Sequence, residues 1–280
     1  MPIHDQSYRH WEGTLRSHKF RWWIITREGL RIVLRHKLFL ILIMAPAAVQ
    51  FLVFGAIIYG VNTYGMFMRQ NVINPKLFFE FFLRDTFFIA LICVFGGSGL
   101  IANDLKNNAL QLYLSKPITR MDYLAGKMAI MMVLMGCITI IPGILLFTEN
   151  AVISQDLTFL QENYWLLGSI ALYSLILMIP TGFLILALSS ATRNSRYAAI
   201  TFLAILIGTP IIKELLREVF RIKSAAFVSY WSNLDILGRR LFGLPGEIDN
   251  WYWAMFIMLG IIGLSVWIML RRVKGVEIVK

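Results

Sequence analysis

The chain has 280 residues, of which 58% are hydrophobic and only 15% charged, and it carries a formal net charge of +11. Soluble domains carry about 25% charged residues, so this balance, with a mean hydropathy of +0.67, excludes an ordinary soluble domain and points to one membrane-embedded domain. The cations flank apolar runs instead of covering a soluble surface, so membrane lipid headgroups, not nucleic acid, are the expected partner.

Residues 1–37 are basic and rich in aromatics. Arg27, Arg31 and Arg35 recur four apart and share one helical face. Leu30, Val33 and Leu34 lie on another. Trp22 and Trp23 suit the headgroup level, where the indole ring stays in apolar surroundings and its N–H stays wet. The pattern predicts an amphipathic helix lying in the membrane interface; a solvated basic tail is the alternative. His4, His10, His18 and His36 all fall in this segment at spacings that match no metal motif. Cys93 and Cys137 sit inside apolar runs and form neither a disulfide framework nor a zinc pattern. The first apolar run begins near Leu38, after the basic segment, which is not the layout of a cleaved signal peptide.

Six apolar runs follow, each read as a transmembrane helix. The first covers 38–60, long enough for the hydrocarbon core with some tilt. It contains Pro46, a candidate kink, and Gln50, whose amide calls for a protein partner in lipid. The stretch LFFEFFLRDTFF reads as a short interfacial helix or as the first turn of the second span, 86–102. Gly96, Gly97, Ser98 and Gly99 close that span and offer either close helix packing or a bending point. The third span covers 128–147, interrupted at Pro142-Gly143. The fourth covers 165–190, with Pro180 inside. The fifth covers 197–212 and is closed by Pro210. Residues 213–223 then read as a separate amphipathic helix at the outer interface. The sixth covers 251–270. The fold expected is all-α and integral to the membrane, a permease-like domain over 38–272 between an N-terminal segment (1–37) and a tail (273–280).

Of the 27 Lys and Arg residues, 18 fall on the side that holds both termini and 9 on the other. The richer side is expected to be cytoplasmic. No ionisable residue falls within the six runs as drawn, which argues against proton relays, ion-coupled carriers and voltage sensors. The chain contains no GxxxxGK[ST], no HExxH and no GxSxG. Ser98 follows two glycines but has no base at its depth. An enzyme is not expected, and no cofactor site is expected in this chain.

The conspicuous polar interval is 103–127, between the second and third runs. Asn103 reads as an N-cap, with Asp104 at a helix N-terminus. Lys116-Pro117 would stop that helix, and Thr119 to Asp122 reads as a capping box that starts the next one. On pattern alone this is either an ordinary connecting loop or a docking element for a partner.

Here the sequence resembles a family. Asp104, then Leu114-Ser115-Lys116-Pro117-Ile118-Thr119-Arg120, then Tyr123 and Gly126-Lys127 are similar to the signature of type-2 ABC exporter permeases. Two positions differ: relatives often carry Glu at the place of Asp104 and Gly-Thr at the place of Asn108-Ala109. The resemblance implies a transmembrane permease subunit in the plasma (inner) membrane, with both termini cytoplasmic. It would pair with a second permease, a copy or a relative, and with ABC ATPase subunits that hold ATP and Mg²⁺. A coupling helix over about 104–114 would engage the ATPase, with Asp104, Leu110, Tyr113, Leu114, Pro117, Arg120 and Lys127 as coupling residues. Leu110, Tyr113 and Leu114 would enter the ATPase groove, and Asp104 would pair with Arg27, Arg31 or Arg35. The substrate path would follow the permease–permease seam along the second and fifth spans. A non-transporting assembly factor of the same fold, or a channel, are the competing readings.

Overall fold

The computed structural model describes residues 20–68, 75–109, 118–153, 157–221, 223–246, 248 and 250–273. In hydrocarbon each backbone N–H and C=O must be satisfied within the protein, so apolar runs of this length become helices. Among the described residues there is no strand, and six helices are long and apolar enough to cross a membrane: Leu40–Thr63, Pro75–Lys106, Arg120–Ile153, Asn163–Ala191, Ser195–Phe220 and Trp251–Arg272. Ahead of them lies a 14-residue helix, Arg21–Leu34.

Several helices depart from the sequence expectation, each for a local reason. The first span opens with a π-turn, Leu40–Met44, just before Pro46. Pro46 has no N–H to give the carbonyl one turn back, and the wider turn sits where that bond is missing. The second span starts at Pro75, not near residue 86. The phenylalanines of LFFEFFLRDTFF therefore fall in its own turns and, apart from exposed Phe87, are buried there and do not form a membrane-boundary belt. Phe79 and Phe82 pack with Tyr173 and Phe242, ring centroids 5.5–6.1 Å apart. Gly238 leaves room for this cluster: a Cβ there would stand 2.6 Å from the Tyr173 ring. The third span breaks at Cys137–Thr139, between the helices Arg120–Gly136 and Ile140–Ile153. Pro142 falls in the first turn of the second piece, where a missing N–H costs nothing.

The fifth span runs unbroken through Pro210 to Phe220. The expected interfacial helix over 213–223 is therefore mostly the C-terminal end of that span. The chain then turns back through a 3₁₀ segment, Lys223–Val228, into the helix Tyr230–Leu241. Hydrogen bonds fix the depth of this helix. Its Tyr230 hydroxyl lies 2.7 Å from Thr181 Oγ1, and its Tyr230 N–H donates to Thr209 Oγ1 at 3.2 Å. Its last carbonyl, Leu241, accepts from the Ser169 hydroxyl at 2.9 Å. At about 1.5 Å per residue, Thr181 lies ~15 Å from the Ala191 end of the fourth span. The segment 223–241 is thus a re-entrant hairpin that dips toward mid-membrane and climbs out again.

The fourth span is the hub of the packing, touching the second, third, fifth and sixth. The first span packs on the second half of the third. There Gln50 donates to Asp85 Oδ1 at 2.8 Å and to the Phe81 carbonyl at 3.3 Å. The amide finds the protein partner that lipid demands. The partner also corrects the expectation of spans without ionisable groups, because Asp85 is 1% exposed inside the second span. It escaped notice because an apolar-run reading began that span one residue later.

Candidate functional site

The interval 103–127 begins inside the second span. That span is interrupted by a second π-turn, Cys93–Gly97, and resumes as the short helix Gly99–Lys106. The π-turn takes in Gly96-Gly97, and the stretch Gly96-Gly97-Ser98-Gly99 packs closely: a Cβ on Gly97 would lie 3.0 Å from Ile185 and from Met131. Restarting a helix leaves its first N–H groups without partners. Ser189, on the fourth span, supplies them. Its hydroxyl accepts from the N–H of Ile101 (3.1 Å) and Ala102 (2.9 Å) and donates to the Ser98 carbonyl (2.7 Å). All of this is buried, so one hydroxyl splices the break and ties the second span to the fourth.

Asn103 and Asp104 prove to lie in the last turns of this helix, not at the start of a new one. Asn108, in the left-handed region at φ 54°, follows just beyond it. Asn is among the few side chains that accept this conformation. Leu110, Tyr113, Leu114 and Pro117 lie outside the described residues. The chain is described again at Ile118, and the predicted capping box is present. Thr119 Oγ1 accepts from the Asp122 N–H, and the Asp122 carboxylate accepts from the Thr119 N–H, both at 3.1 Å.

One turn into the helix that follows, Tyr123 and Lys127 stand four apart on one face. The Tyr123 hydroxyl donates to Asp104 Oδ2 at 2.7 Å, and Lys127 Nζ meets the same oxygen at 2.7 Å. Lys127 also lies 5.4 Å from the Tyr123 ring centroid. The side chains of Lys127 and Asp104 are 7% and 18% exposed, so the pair is largely shielded from water and screened little by salt. Asp104 thus takes Lys127, from the third span, in place of the expected Arg27, Arg31 or Arg35. Those arginines are exposed on the N-terminal helix. The physical reason is reach: the buried face of that helix holds Ile25, Thr26 and Val33, and its cations point away.

The N-terminal helix docks beside the same site. Thr26 Oγ1 donates to the Gly126 carbonyl at 3.1 Å. A Cβ on Gly126 would stand 2.9 Å from the Trp22 carbonyl oxygen, so only glycine permits this approach. The outer side of the helix exposes Trp23 (48%) and Ile24 (66%) alongside the arginines, the mixture expected of an interfacial helix. Trp22 is half-buried. Arg120 is exposed in the first turn after Thr119 and takes no part in the Asp104 cluster.

Of the residues singled out in the sequence, the structure brings Asp104 and Lys127 together. Tyr123 and Gly126 stood in the motif without an assigned task. Thr26 and Ser189 carried no local signal beyond being small hydroxyl residues next to polar segments.

These features define a six-span membrane subunit in which a shielded ion pair joins the second and third spans beside a docked amphipathic helix. Residues 23–229 match the family model for the ABC-2 family transporter protein, and the chain belongs to that family. It is a type-2 ABC permease and a multi-pass membrane protein of an ABC transporter system. A comparison with curated proteins finds no match.

Proposed function

We propose that this chain is the permease subunit of an ATP-driven exporter in the plasma (inner) membrane, with both termini cytoplasmic. A second permease completes the substrate path, and separate ATPase subunits bind ATP and Mg²⁺. The observation that carries this reading is the Asp104–Lys127 pair. It fastens the second span to the third where the 103–127 segment leaves the membrane. Motion delivered to that segment by an ATPase reaches both spans through a short, shielded ion pair and a rigid capping box, as rigid-body tilting requires. Leu110, Tyr113, Leu114, Pro117 and Arg120 are the proposed contacts with the ATPase. The excess of cations on this side supports its cytoplasmic placement.

The test is the reconstituted complex of this chain with its ATPase. Asp104→Leu/Lys127→Met, which strands neither charge, is expected to leave the complex assembled while removing stimulation of ATP hydrolysis by cargo. Normal stimulation in that variant would remove the coupling role. A complex that shows no cargo-dependent hydrolysis even with the native chain would favour a non-transporting assembly role.

A further inference from the structure

Deep in the second span a carboxyl group lacks the surroundings that a charge requires. Asp85 is 1% exposed, and the residues about one turn to either side, Phe81, Phe82, Phe88 and Ile89, are buried and apolar. Counted along the helices, Asp85 lies ~15 Å from Pro75, and its neighbour Gln50 lies ~15 Å from Leu40 and ~20 Å from Thr63. Both spans place the contact well inside a hydrocarbon layer of ~30 Å.

Gln50 is the donor that reaches it. Its amide nitrogen donates to Asp85 Oδ1 at 2.8 Å and to the Phe81 carbonyl at 3.3 Å, so both of its N–H groups are used. Oδ2 is buried and has no hydrogen-bond partner among the described residues. No described cation pairs with Asp85 either. Arg84 is exposed, with its guanidinium carbon 5.4 Å from the Phe54 ring centroid. Lys76 meets Glu80, and Arg239 of the re-entrant helix meets Asp235. The first span adds only exposed Tyr59, the second half of the third adds Glu149 against Gly55, and the fourth adds Tyr173 beside Phe82. None of these three supplies positive charge.

A buried carboxylate needs a cation or several donors to hold its charge, and one amide falls short of that. A carboxylic acid in the same place leaves only a neutral hydroxyl without a partner, which costs far less. We infer that Asp85 is an intramembrane proton-binding site: its carboxyl holds a proton taken from water, and the carbonyl oxygen of the resulting acid accepts from Gln50. The first and second spans are thereby latched by a contact that carries no net charge. An ionisable group held inside a span is the usual mark of such a site. It is remote from the Asp104–Lys127 pair, and its occupancy does not depend on the proposed transport activity.

Infrared spectroscopy of the full-length protein in lipid vesicles at neutral pH tests this, with the aspartate carboxyl carbons labelled with carbon-13. Exposed aspartates are ionised at that pH. The expected result is a label-shifted carboxylic-acid carbonyl band that is lost in Asp85→Asn while the carboxylate bands stay unchanged. Asp85→Glu, which keeps a carboxyl, should return the acid band to its unlabelled position. It keeps the test decisive if the asparagine variant fails to fold. Gln50→Leu should retain the acid band and move it to higher frequency, because the carbonyl then loses its hydrogen bond. Absence of a label-shifted acid band from the native protein overturns the proposal, as does a folded Asp85→Asn protein that keeps the band or loses carboxylate intensity in its place. An unmoved band in Gln50→Leu overturns the acid–amide latch.

Discussion

Asp104, Tyr123 and Lys127 concentrate opposite charge and a hydroxyl on one carboxylate oxygen in a poorly hydrated place. Such a pair adds little net stability over an apolar replacement, but removing one member strands the other. Lys127→Met is expected to destabilise the folded protein by about 3–5 kcal/mol. The double variant Asp104→Leu/Lys127→Met should recover much of that loss, because neither charge is then stranded. Thermal unfolding in detergent measures both. Additive losses in the double variant would mean that the two groups do not interact. The loss of coupling expected of that double variant is a separate matter, since a stable apolar pair lacks the directed hydrogen bonds that hold the two helices in one register.

At the scale of helices, the breaks matter as much as the spans. Ser189 satisfies two N–H groups and one carbonyl at the restart of the second span. Ser189→Ala leaves buried backbone groups without a partner and is expected to cost about 1–3 kcal/mol. Amide exchange should rise first at Ile101 and Ala102; unchanged protection there would show that another group takes over. These elements also show which parts of the fold were legible. The Thr119–Asp122 capping box was readable because its partners are three residues apart, and the spans because hydropathy is local. Gln50 with Asp85, Thr26 with Gly126, and Ser189 with Ser98 join residues far apart in sequence. No periodicity in a single chain announces them. Asn103 and Asp104 were read at the wrong end of a helix because short polar residues suit both ends. Pro210 was read as a terminus because the neighbours that hold a proline-containing helix together lie on other segments. The re-entrant hairpin was hidden for a related reason: its helix is polar overall, and its depth is set by Thr181 and Thr209.

Across the whole molecule, burial is uneven. The fourth span lies at the centre. The fifth keeps Ala198, Phe202 and Leu206 inside but exposes Ile200 (62%), Leu203 (36%), Ile207 (60%) and Ile211 (56%) along one stripe. That stripe is the proposed seam with the second permease. Ile207→Cys is expected to form an oxidative cross-link to the second permease in native membranes. A cysteine at exposed Val49 of the first span should stay uncross-linked. A link at Val49 with none at Ile207 would move the seam to the first span.

The splice at Ser189 has a mechanical consequence. The outer part of the second span is bound to the Tyr173–Phe242 ring cluster. The inner part hangs from the fourth span by the Ser189 hydroxyl and from the third by Lys127. The second span is therefore two levers sharing a joint at Cys93–Gly97, not one rod. Under the proposed coupling, a push at Asp104 would swing the inner lever together with the third and fourth spans. The outer lever follows only as far as the joint is stiff. The residues that set this gearing are Gly96, Gly97 and Ser189, at the joint itself.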